Sequence, residues 1–78
     1  EALFGLGKTE LALQHPRQAV APLRKAIQID PNYAEAHFVL GTALRQSGHA
    51  IEGRREQKMS VELQEKRRSE AIERNEKN

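Results

Sequence analysis

Side chains able to attack, ligate or shuttle protons are few in this 78-residue chain, and they are scattered. With no cysteine, the chain cannot build a thiolate nucleophile, a disulfide framework or a thiolate zinc site. The hydroxyl nucleophiles are Ser47, Ser60, Ser69, Thr9 and Thr42, none in a nucleophile elbow or another recognisable setting. His15 and His49 are the pair to weigh for metal binding, because they occupy equivalent turns. The sequence sets no acidic or thiol ligand beside them, so two polar turn residues near helix ends are expected instead. His37 stands where Leu3 stands one unit earlier, and is expected half-buried against a neighbouring helix rather than acting as a base. Gly5 and Gly7 follow no strand, which argues against a phosphate-cradling loop. The expectation is a non-enzyme with no cofactor and no metal.

Charge narrows the partners further. Thirteen basic and eleven acidic residues leave a net +2, far from a polycation. The basic groups Arg54-Arg55 and Lys66-Arg67-Arg68 lie in residues 54–78, which hold eight basic and six acidic residues and no aromatic to stack a base. Nucleic acid is therefore not an expected partner, and a solvated, salt-bridged helix accounts for the pattern. No apolar run approaches about 18 residues, so no membrane partner is expected either, and the cytoplasm is the default compartment.

The organisation comes from repetition. Glu1-Ala2-Leu3-Phe4-Gly5-Leu6-Gly7 returns as Glu35-Ala36-His37-Phe38-Val39-Leu40-Gly41, an offset of 34 residues from Glu1 to Glu35, with five of the seven pairs identical. His15 and His49 fall on the same offset. Self-similarity at this period signals stacked supersecondary units. Each copy holds an apolar helical pattern, a break near His15 or Ser47-Gly48-His49, and a second helical pattern.

The helices follow from local chemistry. The first is expected over about Glu1 to Leu13, where Leu3, Phe4, Leu6, Leu11 and Leu13 make a broad apolar stripe. Gly7, recurring as Gly41, marks a close approach by the partner helix, since a helical glycine costs about 1 kcal/mol against alanine. Pro16 suits the first turn of the second helix, in which Ala19, Leu23, Ala26 and Ile27 share a face. Pro22 removes a backbone bond inside it, so a bend is expected with the helix continuing. Asp30-Pro31 closes the unit, and Asn32 with Glu35 has the spacing of a capping box for a third helix running to about Gln46. Ser47-Gly48 stops that helix. After Gly53 no glycine or proline remains, and Glu65 stands where Pro31 stood, so one long helix is expected from residue 50 to about 74. Ile51, Met59, Val61 and Leu63 are its expected docking residues.

The 34-residue period, the Leu-Gly pairs, the small Ala19 and Ala26 and the closing Asp30-Pro31 together resemble the tetratricopeptide repeat (TPR) family. The resemblance covers roughly residues 1–64. It implies an all-α fold of TPR-like helical hairpins stacked as a short α-solenoid, with a long C-terminal helix. The first repeat is placed at 1–33, the second at 34–64, and a polar extension of the last helix at 65–78. Two repeats are fewer than the about three a solenoid usually needs, and the chain opens inside the repeated motif, so a piece of a longer protein is expected.

What the resemblance implies for function is a non-enzymatic module that binds a protein or peptide ligand on the concave face, lined by the first helix of each repeat. Carried over by position, the lining residues are Glu1, Phe4, Lys8, Leu11 and Ala12, then Glu35, Phe38, Thr42, Arg45 and Gln46. Phe4 and Phe38 would be adjacent apolar anchors, or would pack between helices; Lys8 and Arg45 would meet a carboxylate. Some TPR domains grip a C-terminal carboxylate with Lys, Asn and Arg, but here the two phenylalanines stand at a clamp position and neither lining helix has an Asn. The alternative function is self-association, a dimer or domain swap through the C-terminal helix.

Overall fold

A computed structural model describes residues 2–76, which form four helices in the order α1 (Ala2–Ala12), α2 (Pro16–Ile29), α3 (Ala34–Gln46) and α4 (Ala50–Glu76). Successive helices pack in sequence, α1 on α2, α2 on α3 and α3 on α4, with α1 also touching α3. The core sits in the middle of this stack, where Ala19 and Leu23 of α2 meet Leu40, Ala43 and Leu44 of α3. Phe4, Leu11, Val20, Ile27 and Val39 close over it. Leu23 is the largest side chain fully withdrawn from water together with Ser60 of α4.

Both hairpins turn through the same device. At the end of α1, the His15 N–H donates to Glu10 C=O at 2.7 Å and the Gln14 N–H to Leu11 C=O at 2.9 Å. At the end of α3, His49 donates to Leu44 at 2.8 Å and Gly48 to Arg45 at 3.2 Å. This paired pattern needs one residue in the left-handed region. Gly48 takes it at φ 92° without strain, whereas Gln14 takes it at φ 63° with a Cβ to accommodate.

The start of α3 differs from the expected capping box. Asp30 Oδ1 accepts the Asn32 N–H at 3.1 Å, making a tight turn that consumes Asn32 before the helix begins. The residue flanking the helix is Tyr33, which makes no side-chain cap, and its carbonyl accepts the His37 N–H at 3.1 Å. Glu35 is not a capping partner either, because Arg67 draws its carboxylate at 3.4 Å. Pro22 lies inside an uninterrupted α2.

The long last helix is present but docks on a different face. Ile51 is 70% exposed, and Met59 and Val61 are about half exposed; only Leu63 of the expected set is partly covered. Contact with α3 runs instead through Gly53, Glu56 and Gln57, which lie three and four residues on from the glycine on one face of α4; Ser60, a turn further on, is also buried. The reason is steric. A Cβ on Gly41 would lie 2.7 Å from the Gly53 carbonyl oxygen, and one on Gly53 would lie 2.6 Å from the Gly41 carbonyl oxygen. Two glycines thus bring the backbones of α3 and α4 together, and a bulky apolar residue between them would hold the helices apart. Gly7 makes room for a side chain instead of a backbone in the first hairpin, with Leu23 Cγ 2.5 Å from where its Cβ would be.

These contacts separate the glycines by consequence. Gly53→Ala must push against backbone and should lower stability by about 1–3 kcal/mol, while Gly5→Ala meets nothing within 4 Å and should raise it by about 0.5–1 kcal/mol. Urea unfolding of both variants checks this, and a Gly53→Ala variant as stable as the parent would contradict the packing described.

Candidate functional site

Helices α1 and α3, which also touch each other, are the two expected to line the binding face. Between them lies a depression of about 230 Å³ lined by Lys8, Leu11, Phe38, Val39 and Thr42. Its floor is apolar because the helical period brings Leu11 of α1 opposite Phe38 and Val39 of α3. Phe38 is half exposed there. Thr42 lies one turn beyond it, its hydroxyl donating to the Phe38 carbonyl at 3.3 Å and accepting from Gln57 Nε2 at 3.4 Å.

Of the residues placed on this face by sequence, Lys8, Leu11, Phe38 and Thr42 come together in that depression. Phe4 does not share it. Its ring is partly buried, packs at 4.9 Å and 42° against Tyr33, and carries the Lys8 ammonium 5.3 Å from its centroid. The recurring phenylalanines are therefore not equivalent: Phe4 packs against Tyr33 and the core, while Phe38 is left half exposed. Arg45 and Gln46 line a neighbouring depression of about 470 Å³ with Thr42, Ala50 and Arg54. Glu35 is turned to Arg67. Ala12 is exposed at the end of α1, and Glu1 lies outside the described residues.

Sequence reasoning passed over Val39, Tyr33 and Arg54. Val39 was visible as part of the apolar run of α3, but its neighbour Leu40 is the core residue, so its position at the groove margin depends on the rotation of the helix. Tyr33 covers Phe4 only because the Asp30-Pro31 turn lifts it there.

The histidines prove structural in their contacts. His15 Nδ1 lies 3.0 Å from Glu10 Oε2 and His49 Nδ1 3.9 Å from Glu52 Oε1. Acidic neighbours therefore exist at both, contrary to the sequence expectation: the turn folds His15 back on α1, and Glu52 lies three residues ahead of His49 in the first turn of α4. Among the described residues no group of three or more His, Asp or Glu side chains is placed to hold a metal ion. His37 is more deeply buried than expected, at 6% exposure. Its Nε2–H donates to the Pro31 carbonyl at 2.8 Å, and its Nδ1 meets Glu56 Oε2 at 2.7 Å. A carbonyl only accepts, so the Pro31 contact places a hydrogen on Nε2, and Nδ1 faces the Glu56 carboxylate. One imidazole thus ties the α2–α3 turn, α3 and α4 together.

His37→Leu keeps the apolar volume that Leu3 supplies in the first hairpin and removes both bonds. Chemical unfolding should show a loss of about 1–3 kcal/mol; an unchanged midpoint would mean that the cross-link contributes nothing.

Comparison with known families matches residues 1–48 to the TPR repeat. No curated protein and no solved structure matches. The match spans α1, α2 and α3, the segment that holds both copies of the recurring motif with Gly7 and Gly41, and extends over more than half of the chain. This chain belongs to the TPR repeat family.

Proposed function

We propose that the chain is a non-enzymatic interaction module that binds a peptide or helix of a partner protein in the groove between α1 and α3. Protein–protein interaction is the general role of TPR repeats; the groove, its ligand and the division into repeats at 1–33 and 34–64 with a polar extension at 65–78 are our reading. The observation that carries it is the depression lined by Lys8, Leu11, Phe38, Val39 and Thr42, in which the aromatic Phe38 is half exposed and Lys8, whose ammonium lies over the adjoining Phe4 ring, is the one cation of the lining. An apolar side chain inserted beside Phe38 would lose its water while a carboxylate next to it in the ligand met Lys8.

Self-association through α4 has weaker support. Ile51, Met59, Val61 and Ile72 are all exposed, but at about 100° per residue the first three point in three directions about 80° or more apart, and only Val61 and Ile72 align. That is a short seam for two helices to share.

Peptides selected from a random displayed library against the chain test the groove. We expect binders with an apolar residue next to an acid, weakened about 10- to 100-fold by Phe38→Ala, as for truncation of an interfacial anchor, and weakened also by Lys8→Glu, with helical circular dichroism retained. Selected peptides indifferent to both substitutions would rule the groove out.

A further inference from the structure

In the first hairpin, Phe4, Leu11, Val20, Leu23 and Ile27 form the seat on which α3 packs, all of them in or against the cluster that contains Leu40, Ala43 and Leu44. Adding the 34-residue offset gives the same seat on the second hairpin: Phe38, Arg45, Arg54, Gln57 and Val61. The apolar ends are kept and the apolar middle is not. Two arginines and an amide stand where Leu11, Val20 and Leu23 stood.

This second seat is uncovered. Phe38 and Val61 are 50% and 49% exposed, and the depression between α3 and α4 opens beside Arg45 and Arg54. After Ile29 the chain turns at Asp30-Pro31 and returns as α3, with Tyr33 landing on Phe4. At the corresponding point after Leu63, α4 runs on to Glu76, and Arg67, at the offset position of Tyr33, bonds to Glu35 and to the Asn32 carbonyl. The described chain therefore does not cover its own seat.

The charges decide what can. Ion pairs elsewhere in the stack satisfy Arg24 with Glu52 at 3.2 Å and Arg67 with Glu35 at 3.4 Å. Arg45 meets only the neutral Gln57 Oε1, at 3.2 Å, and neither it nor Arg54 is ion-paired to a described carboxylate. A helix with an apolar face like that of α3 would bury both guanidinium groups without compensation, which is strongly unfavourable. A second copy's α4 is charge-balanced, with seven basic and seven acidic residues, so it would bring as many cations, Lys66, Arg67 and Arg68 among them, as carboxylates towards the two arginines.

We infer that this end of the stack is a docking seat for an acidic amphipathic helix of another protein, its apolar residues resting on Phe38 and Val61 and its carboxylates received by Arg45 and Arg54. The seat shares Phe38 with the groove but not Lys8 or Leu11, so substitutions at Lys8 and at Arg54 tell the two apart.

The probe is a pair of fluorescent, roughly 18-residue alanine-based helical peptides, each with Phe and Leu seven residues apart on one face; one carries Glu at the two intervening face positions, the other Lys. Anisotropy titration of the full chain should show the Glu peptide binding at least about tenfold more tightly, with affinity falling in high salt. The Arg45→Glu/Arg54→Glu double variant should reverse the preference, and the single Arg54→Glu variant, whose side chain makes no described bond, should abolish it if the double variant does not fold. Lys8→Glu should leave it unchanged. The proposal is overturned if neither peptide binds, if the preference survives the arginine substitutions, or if Lys8→Glu removes it. Sedimentation showing a dimer that dissociates in the Arg54→Glu variant would assign the seat to a second copy and overturn it as well.

Discussion

The contact on which the rest of the architecture depends is the approach of α3 and α4 across Gly41 and Gly53, where each backbone carbonyl comes within 2.7 Å of the other glycine's missing Cβ. Close backbone approach explains why α4 can dock with so few apolar residues. Its buried positions are Gly53 and Ser60, small and polar, and their counterparts at the offset are Ala19 and Ala26 of α2. Small residues let dispersion between backbones substitute for side-chain burial. The larger apolar side chains of α4 are then left outside.

A polar network takes up the role that the missing apolar contacts would have had. Gln57 stands at the place of Leu23 and reaches both Thr42 and Arg45, while His37, at the place of Leu3, is held by Glu56 and Pro31. In each case a hydrophobic residue of the first hairpin is replaced by a hydrogen-bonding one in the second, and no buried side-chain nitrogen or oxygen among the described residues is left without a partner. Such a network is more directional than an apolar core. The second hairpin is thus held in one register by bonds, and the first largely by packing.

The two ends of the stack differ for the same reason. Leu6 is 49% exposed whereas Leu40, its equivalent, is 2% exposed, because Leu40 lies in the core cluster with Ala19 and Leu23 of α2 and Leu6 stands outside that cluster. Phe4 and Phe38 diverge in the opposite sense, Phe4 being covered by Tyr33 and Phe38 left open. Position within the stack, rather than residue identity, sets which member of each repeated pair faces water. That is the expected behaviour of a quasi-one-dimensional fold in which each unit contacts only its neighbours.

The sequence by itself determined the helical class, the four helices to within a residue or two, the repeat period and the glycines of close approach, because these depend on local properties: apolar period, proline and glycine at helix ends, and the recurrence of Gly7 as Gly41 at equivalent positions. The unbroken α4 was legible for the same reason, since nothing after Gly53 can stop a helix. What only the tertiary structure decided was rotation and partnership. Which face of α4 docks was misread from Ile51, Met59 and Val61, because hydrophobicity ranks residues singly while the Gly41–Gly53 approach fixes the rotation of the whole helix. Asn32 was taken from its expected cap by Asp30 and Glu35 by Arg67, partners 2 and 32 residues away. The groove residues Lys8, Leu11, Phe38 and Thr42 were named from repeat position, but the separation of Phe4 and Arg45 from them follows from contacts with Tyr33 and Gln57 that no spacing rule contains.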